Sequence, residues 1–285
     1  MKKKLIPSLL VLSFLAAACA TSGYNKGQFN FYDPESEAKL GNELAAQMLS
    51  EYRKQGQVYE DPGANNYLNN LGQRIVQSLP EKLYPYHFYL LKTPEVNAFA
   101  IPGGHIFIFT GLINYCENEA ELAGVMAHEA GHIVARHGTE QLSAQLAAQM
   151  AGAVLVAGLS GQVDPQVSQL AVDIVSTSVF LAYSRKDERE ADDIGARTVF
   201  KAGFNPSGMV NFFDRLSKKQ GKMSDIEVFL STHPDPGDRE QHVKNIVMEL
   251  GPTESLAWNS EQFNQIKAQV SKIAYPPETK KKAKK

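Results

Sequence analysis

Cysteine is scarce, with only Cys19 and Cys116 in 285 residues. A disulfide-stapled scaffold is therefore excluded, and the fold must rest on a buried core, which a chain of this length can supply. Charge of one sign is lacking too. The formal net charge of -2 gives no global pull toward nucleic acid or an anionic membrane. Beyond the first twenty residues no apolar run reaches the roughly 20 residues that a membrane-crossing helix needs. No internal repeat is visible, which excludes a solenoid or propeller. The remainder is an ordinary globular composition, 43% hydrophobic and 21% charged.

The N-terminus differs from this background. Lys2, Lys3 and Lys4 precede an apolar run, Leu5 to Leu15, and the small residues Ala16, Ala17 and Ala18. This is the layout of a secretory signal peptide. The stretch Leu15-Ala-Ala-Ala-Cys19 resembles a bacterial lipoprotein signal, whose cleavage leaves the cysteine as a lipidated N-terminus. That resemblance implies a signal over 1–18, membrane attachment through Cys19 and the periplasmic side of the envelope. Ala20 after the cysteine implies the outer membrane. Residues 19–34 read as a tether. With Cys19 lipidated or removed, Cys116 has no partner and is expected as a small buried hydrophobe.

Periodicity supplies the elements. A helix is expected from Glu35, with Leu40, Leu44 and Met48 on one face. After a break at Asp61-Pro62-Gly63, a second helix covers about 64–79, with Tyr67, Leu68, Leu71 and Ile75 inward. Residues 86–113 read as β, with 86–91 as one strand. Residues 98–101 and 106–109 read as a hairpin about Pro102-Gly103-Gly104, with His105 at its edge in a structural role. A buried helix runs from near Glu117 to Arg136 and His137. Residues 142–182 hold two helical pieces, either core or a lid. Helices follow over about 184–202, 206–220 and 236–250. The tail ends in a lysine cluster, read either as a solvated end or as a weak contact for anionic lipid or an acidic partner. Together these predict an α+β fold, mainly helical, with a small β-sheet.

The chemistry lies in His128-Glu129-Ala-Gly-His132. Helical positions i and i+4 share a face, so two imidazoles can reach one zinc ion, and Glu129 beside them can handle a water. Catalytic zinc takes three protein ligands and keeps a fourth position open. Glu188, in Glu188-Arg-Glu-Ala-Asp192, is the candidate third ligand. Asp192, one turn on, is placed to accept the other N–H of a ligating histidine. Glu190 is the competing candidate, but only Glu188 lies four residues from an aspartate. His87, His137 and His242 are read as structural or exposed.

Four blocks resemble the gluzincin metallopeptidase family that includes HtpX, the CAAX prenyl proteases and BepA. They are Asn97-Ala-Phe-Ala-Ile-Pro-Gly-Gly-His105, the H-E-x-x-H segment, Ser184-Arg185 leading to Glu188-Arg-Glu-Ala-Asp192, and Thr232-His233-Pro234. The resemblance spans about 35–250 and implies a zincin-type peptidase domain there, with 251–285 as a C-terminal extension. It implies one zinc per chain and peptide hydrolysis with Glu129 as general base. It places His233 near the metal, either as an oxyanion stabiliser or as a fourth ligand that holds the enzyme latent. Arg239 is a second candidate for the oxyanion. By the same resemblance the substrate lies extended along the 97–109 hairpin. It would be an unfolded or misassembled envelope protein, and an assembly-machinery partner is possible. The rival reading is a binding or chaperone-like assembly factor whose proteolysis is restrained.

Overall fold

The computed structural model describes Tyr24 and residues 27–160, 182–218 and 223–275. The signal segment, Cys19, the second helical piece expected within 142–182 and the lysine tail lie outside the described residues. No helix among those described is long and apolar enough to cross a membrane.

Helix α1 covers Pro34–Lys54 and α2 covers Pro62–Gln77. Each begins with an aspartate cap and a proline, Asp33-Pro34 and Asp61-Pro62, and each cap accepts a backbone N–H three residues on. The break at Asp61-Pro62 is thus the start signal of α2. Strands β1 (His87–Leu91), β2 (Ala98–Ile101) and β3 (His105–Phe109) form a sheet of order β1-β3-β2. The expected hairpin is present: β2 and β3 are antiparallel with Ala98 opposite Ile108 and Ile101 opposite His105, and β1 joins β3 in parallel. Gly103 and Gly104 turn the hairpin at φ +78° and +96°, which L side chains rarely adopt.

Strand alternation divides the core. Ile106, Ile108, Ala98 and Ala100 face α2 and the central helices; Phe107, Phe109, Phe99 and Ile101 face α1. On α1, Gly41 and Ala45 are buried, while Leu44 and Met48 pack half-buried against the aromatic cluster.

A short helix α3 (Thr110–Tyr115) leads to α4 (Glu119–Val134), capped by Asn118 and buried along its whole length. The sequence predicts that this helix reaches His137. It stops at Val134, because Arg136 takes a left-handed backbone, φ 55°, and His137 opens α5 (His137–Ser160). Arg136 is held there by a buried ion pair with Glu37 at 2.6 Å and by donating to the Tyr32 carbonyl. Nearby, the Asn30 amide donates to Thr139 Oγ1 at 2.8 Å and the Phe31 N–H to Ser143 Oγ at 2.9 Å.

Helix α6 (Arg185–Lys201) opens with a reciprocal capping box between Ser184 and Asp187. Helices α7 (Ser207–Ser217), α8 (Met223–Thr232), α9 (Pro236–Leu250) and α10 (Glu261–Val270) follow. The sequence predicts neither α3, α8 nor α10. Phe263, Ile266 and Val270 of α10 are nonetheless buried in the main core, and Cys116 lies in the same core as expected.

Candidate active site

Two helices make the site by lying unusually close. A Cβ on Gly131 of α4 would stand 2.8 Å from the Ala191 carbonyl oxygen, and one on Gly195 of α6 would stand 3.0 Å from the His128 nitrogen. The missing methyl groups allow α4 and α6 to touch backbone to backbone. That contact sets Glu188 and Asp192 against His128 and His132.

His128, His132, Glu188 and His233 are all buried, and one donor atom from each lies within 4.8 Å of the others. The separations are regular. His128 Nε2 is 3.0 Å from His132 Nε2, 3.5 Å from Glu188 Oε2 and 3.4 Å from His233 Nδ1. Glu188 Oε1 is 3.4 Å from His132 Nε2 and 3.1 Å from His233 Nδ1. A tetrahedral ion with bonds of about 2.0–2.1 Å has ligand–ligand edges of about 3.3–3.4 Å. These five separations, with both Glu188 oxygens contributing, lie near that edge length, so the four side chains are close enough to share one ion.

Glu129 adds an independent sign. Its side chain is fully buried, yet neither carboxylate oxygen has a hydrogen-bond partner among the described residues. A buried carboxylate without partners is costly. Burial raises its pKa, and His233 Nε2 lies 3.5 Å from its Oε1. Such a group fits beside a water or substrate oxygen at the cluster.

The surrounding charges act differently on the two histidines of α4. Burial holds His132 well below its ordinary pKa, hence neutral as a ligand must be. Burial and Arg239 both oppose charge on His128, but Asp192 and Glu188 outweigh them and its pKa is pushed up to about 9. Asp192 Oδ1 lies 2.9 Å from His128 Nδ1, which turns Nε2 to the cluster and raises its basicity. Burial disfavours the Glu188 carboxylate, yet Arg239 and the imidazoles around it hold it well below the usual range.

Arg239, on α9, is 2% exposed. It donates to both Asp192 oxygens at 2.8 and 2.7 Å, reaches Glu188 Oε2 at 2.7 Å and lies 4.2 Å over the Phe213 ring. The sequence places Arg239 at an oxyanion; the structure engages its guanidinium with two carboxylates, an orienting position. His233 follows the end of α8 and precedes Asp235, whose backbone is left-handed and whose side chain pairs with Arg185 at 2.6 Å.

The other candidates separate cleanly. Glu190 turns away from the cluster toward His137. His105 is bonded to Tyr89 and Asn42, His87 is exposed, and His242 contacts the Arg189 carbonyl. His137, expected as structural or exposed, is buried against His132, a ligand candidate. Tyr183, which the sequence does not single out, stacks on His132 with ring centroids 4.0 Å apart. Its only signal is its place directly before the capping box.

A helix-borne pair of histidines, a glutamate from a second helix and an unpartnered glutamate beside them define a metallopeptidase-type centre. The chain belongs to peptidase family M48, whose family model matches residues 62–247. Among curated proteins it is similar to the beta-barrel assembly-enhancing protease of Escherichia coli K12, 31% identical over 239 residues, covering 81% of this chain and 47% of that protein. The protein of that name from Yersinia pestis is 29% identical, covering 87% of this chain and 53% of its own. The mitochondrial metalloendopeptidase OMA1 of Schizosaccharomyces pombe is 29% identical, covering 77% of this chain and 64% of its own. The chain spans about half the length of the first of these relatives.

Proposed function

We propose that the protein is a zinc-dependent endopeptidase of the bacterial envelope that cleaves unfolded or misassembled proteins. The observation that carries this reading is the cluster of four buried donors, all within 4.8 Å of one another, beside a buried Glu129 carboxylate that has no hydrogen-bond partner among the described residues.

In this reading His128 Nε2, His132 Nε2 and Glu188 hold one zinc ion per chain. When bound, zinc acidifies a water and polarises the scissile carbonyl. Glu129 takes the proton of the attacking water and returns it to the leaving amine. The raised pKa of its carboxyl suits a base that must also hold that proton. Asp192 fixes the His128 ring through Nδ1, and Arg239 keeps Asp192 and Glu188 ionised and in place. The substrate chain lies extended beside the β2–β3 hairpin, where main-chain pairing admits many sequences.

His233 has two roles open to it, and the geometry favours one at rest. Its Nδ1 lies 3.1 Å from Glu188 Oε1 and 3.4 Å from His128 Nε2, close enough to serve as a fourth ligand in place of a water or substrate oxygen were the ion bound. The resting enzyme is then latent, and displacing the α8–α9 turn opens it. The second reading rests on this contact: a chaperone-like assembly factor for outer-membrane proteins whose peptidase is rarely released. The names of the E. coli and Yersinia relatives support an assembly context. Attachment to the outer membrane through a lipid on Cys19 belongs to the same proposal.

The test is zinc stoichiometry for the wild type and Glu188→Ala, with cleavage of casein. One zinc per chain, lost in the variant, with cleavage abolished by Glu129→Gln and raised by His233→Ala, is expected. Absence of zinc after repletion would refute the peptidase. Zinc without cleavage in either wild type or His233→Ala would favour the assembly factor, as would full assembly function in Glu129→Gln.

A further inference from the structure

His137 shares no turn of helix with His132 in any regular continuation of α4. Five residues on an α-helix advance about 500°, which places the second side chain some 140° round the axis. The left-handed turn at Arg136 cancels that offset. It brings His137 Nδ1 to 2.9 Å from His132 Nδ1, with the His137 side chain wholly buried. A non-glycine residue at φ 55° is strained and persists only where its surroundings enforce it. Here Glu37 and the Tyr32 carbonyl do so.

We infer that His137 is a positioning residue for His132, accepting the Nδ1–H of that ring and so turning its Nε2 to the metal, while Glu190 fixes the His137 tautomer. The inference rests on the zinc site proposed above. His132 Nε2 faces His128 and Glu188, so its single ring proton belongs on Nδ1. The His137 Nδ1 opposite is then the acceptor, and the His137 proton lies on Nε2. That atom has no hydrogen-bond partner within bonding geometry, but the nearest carboxylate oxygens are Glu190 Oε2 at 3.5 Å and Asp187 Oδ1 at 3.9 Å. Glu190 is the nearer of the two, which makes it the anchor. The two histidines of α4 are thus held by different chemistries: His128 by a carboxylate, Asp192, backed by Arg239, and His132 by an imidazole, His137, beside Glu190. Loss of an outer partner of this kind weakens metal binding roughly 10–100-fold.

The experiment measures the zinc dissociation constant of the full chain by competition with a chromophoric chelator, alongside the melting temperature of the metal-free form. His137→Ala, which removes the acceptor, is expected to weaken zinc roughly 10–100-fold. His137→Asn sets an amide oxygen near the Nδ1 position and is expected to restore most of the affinity. Glu190→Ala is expected to weaken binding several-fold with the metal-free melting temperature unchanged. Wild-type affinity in His137→Ala would overturn the inference while leaving the zinc site standing. So would an Asn variant as weak as Ala, since packing alone would then explain the loss. Should His137→Ala not fold, the Asn and Glu190→Ala variants decide: wild-type affinity in Glu190→Ala together with loss in Asn overturns the inference. A wild type that binds no zinc removes this inference and the peptidase reading together.

Discussion

Replacing Gly131 by alanine pits two effects of opposite sign against each other. Alanine favours the helix over glycine by about 1 kcal/mol. The new Cβ, however, meets backbone: the Ala191 carbonyl oxygen at 2.8 Å and the Ala191 Cα at 3.1 Å. Restoring an ordinary contact of 3.4 Å requires α4 and α6 to part by about 0.6 Å. Overpacking of this kind costs about 1–3 kcal/mol, so the net change in stability lies between about zero and 2 kcal/mol. The metal site is less tolerant. Ligand distances must hold within about 0.2 Å, and the separation moves Glu188 away from both histidines at once. Gly131→Ala is therefore expected to melt within a few degrees of the wild type in its metal-free form, yet to bind zinc about tenfold more weakly or worse. Chelator competition and a thermal melt, on the same preparation, read the two effects separately. Gly124→Ala on the same helix is the control, because its Cβ meets the movable Met209 side chain rather than backbone. Zinc affinity unchanged in Gly131→Ala, or equally reduced in Gly124→Ala, would refute the reasoning.

Three further outcomes are expected. Arg239→Met leaves Asp192 and Glu188 buried without their cation and should destabilise the metal-free protein by about 3–5 kcal/mol in urea melts; a loss under 1 kcal/mol would contradict the buried pairing. His105 is kept neutral, its pKa lowered from 6.5 to about 4 by burial and by His87. The unfolded chain takes up that proton first as the pH falls, so stability is full above pH 6.5 and declines toward pH 4. His105→Gln should flatten that decline, and an unaltered slope in the two proteins would show that His105 is not its source. Phe263→Ala should cost about 3–5 kcal/mol, measured by denaturant midpoint, since α10 is then core rather than appendage; a neutral change would mean it is not.

Much of the site was legible because its signals are local. The H-E-x-x-H pair, and the aspartate one turn beyond Glu188, sit at spacings that the helix converts directly into a shared face. The hairpin was marked by its two glycines and by alternating residues. What was hidden depends on contacts between distant segments. Helix α10 carries only Phe263, Ile266 and Val270 as an apolar stripe, too sparse to announce a helix whose partners lie far back in the chain. The role of Arg136 could not be read at all. Nothing in Ala-Arg-His-Gly marks a left-handed arginine, which exists because Glu37, 99 residues earlier, takes its guanidinium. An uninterrupted helical period was therefore carried through to His137, on the wrong side of the axis from His132. His233 was legible only through resemblance, for a histidine before a proline has no periodicity to betray its target.

The attachment of the N-terminal arm has a mechanical side. Asn30, Phe31 and Tyr32 are fastened to Thr139, Ser143 and Arg136, all within seven residues of His137. Tension on the chain upstream of Asn30 is thus delivered to the hinge between α4 and α5 before it reaches the sheet. The domain hangs, in effect, from the joint at the end of its metal helix. An anchor at Cys19 would pull on the joint that aims His132, and a shortened tether would be felt there as torque.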